Sequence, residues 1–256
     1  CLAAIVKDEA AQVERWAATV APLIDCYRIT DTGSTDGTPA AVRAAFSKWG
    51  IPGVVDSIEW TGFGPGLTYA AGRASAAADW IVRVDPDMTV DVHPGFRDWL
   101  HSGATADGYM VNVVDGTLTY RLPLLFRSRS GPWRYLGATH EYLDVTGRIV
   151  SPVDGLTVVH HADGGSRTGK HERDIGLLAA DAERGDPRAT FYSAQAYECL
   201  GDWETAVDWY DRRAAMTDTW EEERWLAAFR AARLVLDRGD QVDGARRMID
   251  AATSRP

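Results

Sequence analysis

Short apolar runs alternate with helical patterns along the first third of the chain. Four of these runs have the length of buried strands, at residues 2–6, 26–30, 54–58 and 80–84. The stretches between them carry helical patterns, at residues 10–20, 39–49 and 68–78. Strands that alternate with helices indicate βαβ units and a largely parallel sheet. The first part of the chain is therefore predicted to fold as an α/β domain.

The pattern changes after residue 87, where longer strand-like segments replace the alternation of strand and helix. Residues 108–115 and 118–127 are predicted to be paired strands that are joined through Gly116. These two strands would extend the sheet and make it mixed.

From about Lys170 onward the sequence is helical. A Gly-Asp pair at position 201 recurs at position 239, and this spacing of 38 residues is near the ~34-residue period of tetratricopeptide arrays. Two helical hairpins are therefore predicted, 187–200 with 203–216 and 220–237 with 241–252. Because two repeats are too few for an independent array, we expect these helices to pack against the first domain.

Two carboxylates, Asp85 and Asp87, directly follow the fourth apolar run. Residues two apart at a strand end point to the same side, and Pro86 cannot donate to a sheet ladder, so the strand should end there. Like charges in one small volume repel unless a cation lies between them. Carboxylate oxygens suit Mg²⁺ or Mn²⁺, with a diphosphate supplying further ligands. A polar turn that closes a strand would give the same triplet.

A second acidic loop, residues 31–38, follows the second apolar run. Its Gly, Ser and Thr residues allow flexible turns that expose backbone N–H groups, and Thr38 is the predicted N-cap of the next helix. In open α/β sheets, nucleotides bind at such strand–loop–helix elements, where Asp31 could accept from a ribose or a base N–H. The loop has neither the P-loop nor the dinucleotide glycine pattern. A capped turn explains its glycines but not its excess of acids.

Charge and composition argue against several classes of protein. The chain has 27 basic and 37 acidic residues and a net charge of −10, which argues against a general nucleic-acid binder. Its three cysteines are widely spaced, which argues against a disulfide framework or a zinc site and favours the reducing cytoplasm. The sequence contains no apolar run long enough to span a bilayer.

Several motifs resemble family-2 glycosyltransferases of the GT-A fold when they are taken together. The matching segments are Ile5-Val6-Lys7-Asp8-Glu9, residues 31–38, residues 60–73, Asp85-Pro86-Asp87, His140-Glu141 and His160. They follow the order of the family over roughly the first two thirds of the chain, and the closer likeness is to a subgroup with tetratricopeptide-like helices after the catalytic domain. The resemblance implies a Rossmann-like GT-A domain at residues 1–169 and a helical tetratricopeptide-like domain at 170–256.

The resemblance also implies which residues hold the donor and the metal. The nucleotide would be bound by Asp8, Asp31, Arg73 and Asp85. The ligands of Mn²⁺ or Mg²⁺ would be Asp85, Asp87 and His160. Between His160 and His161 only one can face the site from a strand, and the matching pattern favours His160.

The base that takes the proton of the acceptor is expected in the His140-Glu141 pair. Glu141 is the favoured base, with His140 as its rival or as a ligand of the sugar. If Glu141 binds the donor sugar instead, Asp115 or Asp144 could serve as the base.

The function implied is a metal-dependent, inverting glycosyltransferase. It would move a sugar from a nucleotide-diphosphate donor, UDP-linked by preference, to a soluble acceptor, and the helical tail could dock a protein or peptide acceptor. The Gly-rich segment 164–169 with residues 170–173 is either a lid over the diphosphate or a linker. Two other functions stay open: a catalytically degenerate domain that acts as a scaffold with the helices, and a sugar nucleotidyltransferase.

Overall fold

A mixed sheet of eight strands organises the first of the two units into which the chain divides, Cys1–Arg167 and Thr168–Pro256. The computed structural model describes residues 1–164 and 169–254. The strand order across the sheet is β3-β2-β1-β4-β7-β6-β10-β5 when the strands are numbered along the chain.

The first four strands form the parallel half of the sheet. They are β1 (Leu2–Val6), β2 (Tyr27–Asp31), β3 (Gly53–Ser57) and β4 (Trp80–Arg83). The helices that connect them are α1 (Val13–Val20), α2 (Thr38–Lys48) and α3 (Phe63–Ser75). All four predicted strands and all three predicted helices are present in this α/β half. α3 begins five residues before its predicted start, because its first turn contains Gly64, Pro65 and Gly66, and proline is tolerated in a first helical turn.

The second half of the sheet contains strands of both directions. Its strands are β5 (Met88–Val92), β6 (Gly108–Asp115), β7 (Leu118–Arg127) and β10 (Val150–His160). β7 is antiparallel to β4 and β6, β10 is parallel to β6, and β5 is antiparallel to β10. The predicted pair β6 and β7 is confirmed. β5 was not predicted, nor was α4 (Phe96–Ser102), nor the small separate sheet of β8 (Tyr135–Leu136) and β9 (Tyr142–Leu143).

β1 and β4 are buried on both faces, in line with their continuous apolar sequences, whereas β3 at the edge of the sheet is largely exposed. Ala4 of β1 packs into a cluster with α1 and α2, whereas Ala3 packs into a second cluster with α3. In the first cluster, the fully buried Trp16 meets Phe46 edge to face, with ring centroids 5.6 Å apart. Truncation of such an aromatic side chain to alanine costs about 3–5 kcal/mol. The sheet edge that carries the acidic residues therefore rests on a rigid core.

The predicted N-cap at Thr38 is wrong. Gly37 occupies the N-cap position of α2 with φ of 89°, and Thr38 is the first helical residue. The side chain of Asp36 takes over the hydrogen bonding expected of a cap. Its Oδ1 accepts from Thr38 N at 2.9 Å and from Thr38 Oγ1 at 2.6 Å. Thr38 Oγ1 in turn accepts from the backbone N–H of Glu9 at 2.7 Å. Thr38 therefore connects two loops instead of capping its own helix.

β10 does not keep a continuous register along β6. Positions 152 and 157 of β10 pair with positions 110 and 112 of β6, so β10 contains three extra residues between these pairs. Because side chains alternate along a strand, an odd number of extra residues exchanges the two faces over the rest of the strand. This bulge sets the orientation of the two histidines that follow it.

The second unit consists of helices in the part of the chain that is described. They are α5 (Lys170–Glu183), α6 (Pro187–Leu200), α7 (Trp203–Ala214), α8 (Glu221–Asp237) and α9 (Gln241–Thr253), and each packs against the next. The recurring Gly-Asp pair marks the turns: Gly201 has φ of 77° after α6, and Asp202 Oδ1 caps α7 by accepting from Thr205 N. α6 to α9 match the predicted hairpins within a few residues, whereas α5 was not assigned to a hairpin.

A buried ion pair lies inside this helical unit. The guanidinium of Arg213 is fully buried and donates from Nε to Glu223 Oε1 at 2.9 Å. Its two other nitrogens donate to Thr219 Oγ1 at 3.1 Å and to the carbonyl of Trp220 at 3.0 Å. Every nitrogen of this guanidinium thus has an acceptor. Within residues 1–164 and 169–254, no helix is long and apolar enough to span a membrane.

Candidate functional site

Asp31 ends β2 and shapes the loop that follows it. Its side chain is buried, and its carboxylate accepts from the backbone N–H groups of Gly33 at 3.2 Å and Ser34 at 3.2 Å. Ser57 at the end of β3 donates its hydroxyl to the same carboxylate at 3.4 Å. Asp31 therefore fixes the backbone of the predicted nucleotide loop at the carboxyl edge of the sheet.

A second carboxylate ties this loop to the segment after β1. Asp8 Oδ1 accepts from Thr35 N at 2.7 Å, and Asp8 N donates to Ser34 Oγ at 3.0 Å. Asp36 Oδ2 accepts from Ala10 N at 2.9 Å. Burial opposes ionisation of Asp36, but its hydrogen bonds from Thr38 and Ala10 outweigh it and lower its pKa. The two loops form one connected surface beside β2.

Arg73 lies in the last turn of α3 and is half exposed. Its Nε donates to Asp56 Oδ2 on β3 at 2.9 Å. In the described part of the chain, no hydrogen bond or ion pair joins Arg73 to Asp31, Asp85 or Asp87. The structure thus brings the predicted aspartates to the sheet edge but leaves Arg73 paired at the flank.

The first acid of the Asp-Pro-Asp triplet belongs to a partly buried cluster around Arg83. One terminal nitrogen of Arg83 donates to Asp85 Oδ2 at 2.6 Å and to Glu141 Oε1 at 3.2 Å. Burial opposes the charge on Arg83, but the two carboxylates outweigh it and raise its pKa. Burial raises the pKa of Asp85, and the charge of Arg83 only partly offsets this. A single guanidinium therefore joins the predicted donor-side acid to the predicted base.

This cluster contains three buried polar atoms without a hydrogen-bond partner among the described residues. They are Arg83 Nε, Asp85 Oδ1 and the hydroxyl oxygen of Tyr135. The centroid of the Tyr135 ring lies 5.7 Å from the guanidinium carbon of Arg83, and burial raises the pKa of its hydroxyl. Buried polar atoms normally have partners, and exceptions call for an explanation such as a functional role.

The second acid of the triplet contacts a histidine. Asp87 Oδ2 lies 3.1 Å from His160 Nε2, and Asp115 Oδ2 lies 3.3 Å from His160 Nδ1. His161 points elsewhere, with its Nε2 2.8 Å from Thr89 Oγ1. Burial by itself would lower the pKa of His160, but the bond to Asp115 and the charge of Asp87 outweigh it and raise the pKa.

The loop that carries His140 and Glu141 docks on the start of α3. Phe63 N donates to the carbonyl of Ala138 at 2.9 Å, and Gly64 N donates to the carbonyl of Gly137 at 3.2 Å. A Cβ on Gly64 would lie 2.3 Å from the Gly137 oxygen, so no larger residue fits there. His140 has a left-handed backbone with φ of 51°. The short connection between β8 and β9 is thus held in one place against the helix.

Two other predicted elements lie outside this cluster. Asp144 closes a turn, with its Oδ1 accepting from Thr146 N at 3.0 Å, a bond that lowers its pKa. Residues 165–168 of the predicted lid or linker lie outside the described residues. Lys170 pairs with Asp174 within the second unit, at 2.5 Å.

The carboxylates and the histidine fit a divalent cation in part. Asp87 Oδ2 and His160 Nε2 lie close enough to serve one ion, and the buried Asp85 Oδ1 has no partner among the described residues. Oxygen and imidazole donors suit Mn²⁺, and Mg²⁺ commonly takes one or two carboxylates with phosphates and water. No group of three or more His, Cys, Asp or Glu side chains within residues 1–164 and 169–254 is already arranged around an ion position. The described residues therefore offer two donors to one ion, Asp87 and His160, and the remaining ligands would have to come from a bound molecule or water.

Sequence reasoning missed Arg83 and the role of Tyr135. Arg83 is the single charged residue of the apolar run 80–84, and a charge in a buried strand must be paired. The charge of Arg83 within an apolar run indicated that it has a buried partner, but the sequence did not indicate which residue this partner is. Tyr135 carried no signal of its own, because buried tyrosines are ordinary core residues.

No family model and no curated protein sequence matches the chain. Similar solved structures include S. aureus TarS, with 12% identity over 94% of this chain and a TM-score of 0.49; this chain spans only 54% of that protein. TarS 1-349 in complex with UDP shows 11% identity, covers 98% of this chain and 88% of that one, and has a TM-score of 0.46. The mannosyltransferase PcManGT from Pyrobaculum calidifontis, in complex with GDP-Man and Mn²⁺, shows 19% identity, 99% and 86% coverage, and a TM-score of 0.42. Likeness of this degree leaves the function to be argued from the chain's own residues.

Proposed function

We propose that the chain is a metal-dependent, inverting glycosyltransferase that uses a nucleotide-diphosphate sugar, UDP-linked, as its donor. The observation that carries the proposal is the contact between Asp87 and His160 at the carboxyl edge of the sheet, with Asp85 two residues before Asp87 and the loop that Asp31 holds at the same edge. Ligands of open α/β sheets bind at this edge. The acidic pair is suited to a metal-bound diphosphate, and the neighbouring loop is suited to a nucleoside. Together they support a nucleoside-diphosphate compound as the substrate.

The nucleotide would lie against the two connected loops after β1 and β2. Asp8 and Asp31 hold these loops through backbone N–H groups, and their remaining lone pairs can accept from a ribose or a base. Asp85 would contact the ribose. Arg73 would have to leave Asp56 to reach the phosphates, an exposed pair whose loss costs little.

The ion would be held by Asp87 and His160, with Asp85 beside them. A bound Mn²⁺ or Mg²⁺ supplies the positive charge that stabilises the leaving diphosphate. Asp87 and His160 are already within 3.1 Å of each other, so their geometry needs little rearrangement on binding. Arg83 donates a hydrogen bond to Asp85 Oδ2. Asp85 Oδ1 is buried, has no partner among the described residues, and is available to a ligand.

Glu141 is the proposed base, with His140 as its rival or as a ligand of the sugar. Arg83 supplies a counter-charge to Glu141, and a base has to be ionised before it can accept a proton. The acceptor hydroxyl would give its proton to Glu141 while it forms the bond to the anomeric carbon from the face opposite the diphosphate.

The helical unit is proposed to bind a protein or peptide acceptor. Stacked helical repeats offer extended surfaces for such partners, and this unit exposes Trp203 and Trp220. Substituting both tryptophans with alanine should raise the KM for the acceptor and leave the affinity for the donor unchanged. Unchanged KM for every acceptor protein that the enzyme modifies would contradict this part.

Calorimetric titration of UDP and GDP, each with and without Mn²⁺, tests the proposal. Wild type is compared with Asp87→Ala and with Asp91→Ala, an exposed aspartate four residues away that serves as the matched control. We expect metal-dependent binding of one nucleotide, lost in Asp87→Ala and kept in Asp91→Ala. Absence of binding for both nucleotides would contradict the proposal. Binding without turnover of any nucleotide sugar would favour the degenerate scaffold.

A further inference from the structure

Asp115 stands beside His160 because of the strand register. It ends β6, and its backbone position pairs directly with that of His160 in the parallel β6–β10 ladder. Residues paired in register present their side chains on the same face of the sheet. The Asp115 carboxylate accordingly lies 3.3 Å from His160 Nδ1, on the side of the ring opposite Asp87.

The two ring nitrogens of His160 thus face two different carboxylates. Nε2 faces Asp87 at 3.1 Å, and Nδ1 faces Asp115. A nitrogen that binds a cation must present a lone pair, so the proton of the neutral ring then lies on the other nitrogen. With a cation at Asp87 and Nε2, that proton is on Nδ1, where Asp115 accepts it.

We propose that Asp115 is a positioning residue that fixes the tautomer and the orientation of His160 for cation binding. The inference rests on the proposed function, because it concerns the same metal position. Carboxylates that accept from the outer N–H of a ligating histidine hold the ring in place and raise its basicity as a ligand. Asp115 then acts through His160, and it is not the base that takes the proton of the acceptor.

The two roles of Asp115 differ in what an asparagine would preserve. Asparagine keeps a neutral oxygen that can accept from Nδ1–H, whereas it cannot take up a proton. A positioning role predicts that Asp115→Asn retains part of the metal affinity and that Asp115→Ala loses more of it. A role as base predicts equal loss of turnover in both variants, with metal affinity unchanged.

Mn²⁺ binding, followed by the electron paramagnetic resonance signal of the free ion, separates these roles without an activity assay. Titrations are done on the full chain with UDP and, separately, with GDP. We expect Asp115→Ala to weaken Mn²⁺ binding by about 10- to 100-fold and Asp115→Asn by less. Asp154→Asn is the matched control, since Asp154 lies on β10 as an exposed partner of Arg121, and it should bind Mn²⁺ like wild type.

Long-range ¹H–¹⁵N spectra of the histidine rings, recorded with Mg²⁺ and the nucleotide, give a second readout. Wild type should show His160 protonated at Nδ1, and Asp115→Ala should show a mixture of tautomers. Mn²⁺ affinity in Asp115→Ala equal to that of wild type would overturn the inference, whatever happens to turnover. If Asp115→Ala does not fold, the same comparison is made with Asp115→Asn. Wild type that binds Mn²⁺ with neither nucleotide would instead contradict the proposed function.

Discussion

Each unit of the molecule contains an arginine paired with carboxylate, fully buried at Arg213 and partly buried at Arg83, and the two guanidinium groups differ in how many of their nitrogens have hydrogen-bond partners. Arg213 in the helical unit has an acceptor for each nitrogen. Arg83 in the sheet unit shares one terminal nitrogen between two carboxylates, and its Nε has no partner within the described residues. The hydrogen bonding of the arginine side chain is therefore complete in the helical unit and incomplete in the sheet unit.

The difference separates a pair that contributes to stability from a cluster that does so less completely. A fully bonded buried pair holds its helices in one arrangement, and removing one partner leaves a buried charge. An incompletely bonded cluster loses stability through every unpartnered atom. Such a cluster is expected where a ligand supplies the missing partners, because proteins break local rules mainly at functional sites.

Arg213→Met should give the largest effect. It leaves Glu223 buried without its main counter-charge, and we expect about 3–5 kcal/mol of destabilisation in the helical unit. Hydrogen exchange of the amides of α7 and α8 measures this locally, without assuming that both units unfold together. Adding Glu223→Leu should restore much of the protection, because the pair is then replaced by apolar packing. Full protection in the single variant would contradict the role of Arg213.

Arg83→Met should affect ligand binding more than stability. Hydrogen bonds to charged groups contribute about 1.5–3 kcal/mol, so we expect Mn²⁺-dependent nucleotide affinity to fall by about 10- to 100-fold. Stability should fall less than in Arg213→Met, because the cluster is already incompletely bonded. Calorimetry gives the affinity, and Arg83→Lys should recover part of it. If Arg83→Met binds the nucleotide like wild type and only unfolds more easily, then Arg83 is a structural residue like Arg213.

Gly64→Ala tests whether the incomplete cluster depends on the loop that carries Glu141. The new methyl group would lie 2.3 Å from the Gly137 oxygen, so we expect a cost of about 1–3 kcal/mol and a lower kcat. Gly72→Ala in the same helix is the control, since nothing lies within 4 Å of its Cβ position. It should stabilise the unit by about 0.4–1 kcal/mol. Thermal unfolding gives the stability of the two glycine variants, and steady-state kinetics gives their kcat. Equal stability and equal kcat in the two variants would exclude a tight contact between Gly64 and the Gly137 oxygen.

The smallest loss of stability is expected from Tyr135→Phe, which is compared with Tyr210→Phe. The Tyr210 hydroxyl bonds to Glu198 at 2.7 Å and to Arg230 at 2.8 Å, so Tyr210→Phe should cost about 1–3 kcal/mol. The Tyr135 hydroxyl has no such partner in the described chain, so Tyr135→Phe should not destabilise the free protein. Hydrogen exchange, measured at increasing denaturant concentration, gives the free energy of unfolding of each variant. A cost for Tyr135→Phe as large as for Tyr210→Phe would show that its hydroxyl is satisfied.

The sequence was sufficient for the parts of the fold that local chemistry determines. Apolar runs predicted β1 to β4, and the Gly-Asp pairs predicted the turns between helices because glycine ends one helix and aspartate caps the next. β5 was missed although Met88–Val92 alternates apolar and polar residues, because the acidic triplet before it was interpreted as the end of a strand and the start of a turn. The short strands β8 and β9 are too brief to leave a periodic signal.

For the site, the sequence predicted which acids lie at the carboxyl edge of the sheet but not what they touch. Asp87 and His160 were predicted as one set and do lie in contact, whereas the bond between Arg83 and Glu141 spans 58 positions of the chain. Contacts of this kind depend on strand order and loop docking, which no local pattern specifies. The same holds for Arg73, whose partner Asp56 lies on a strand at the edge of the sheet.

The bulge in β10 has a consequence for how this site tolerates change in chain length. Loss or gain of one residue in the bulge would slip the end of β10 by one position and turn the other face of the strand toward Asp87. Because His160 is followed by a second histidine, a one-residue deletion would bring His161 to the place that His160 now occupies. After such a deletion the proposed metal position would still hold a histidine, whereas a strand with a single histidine at its end would lose it.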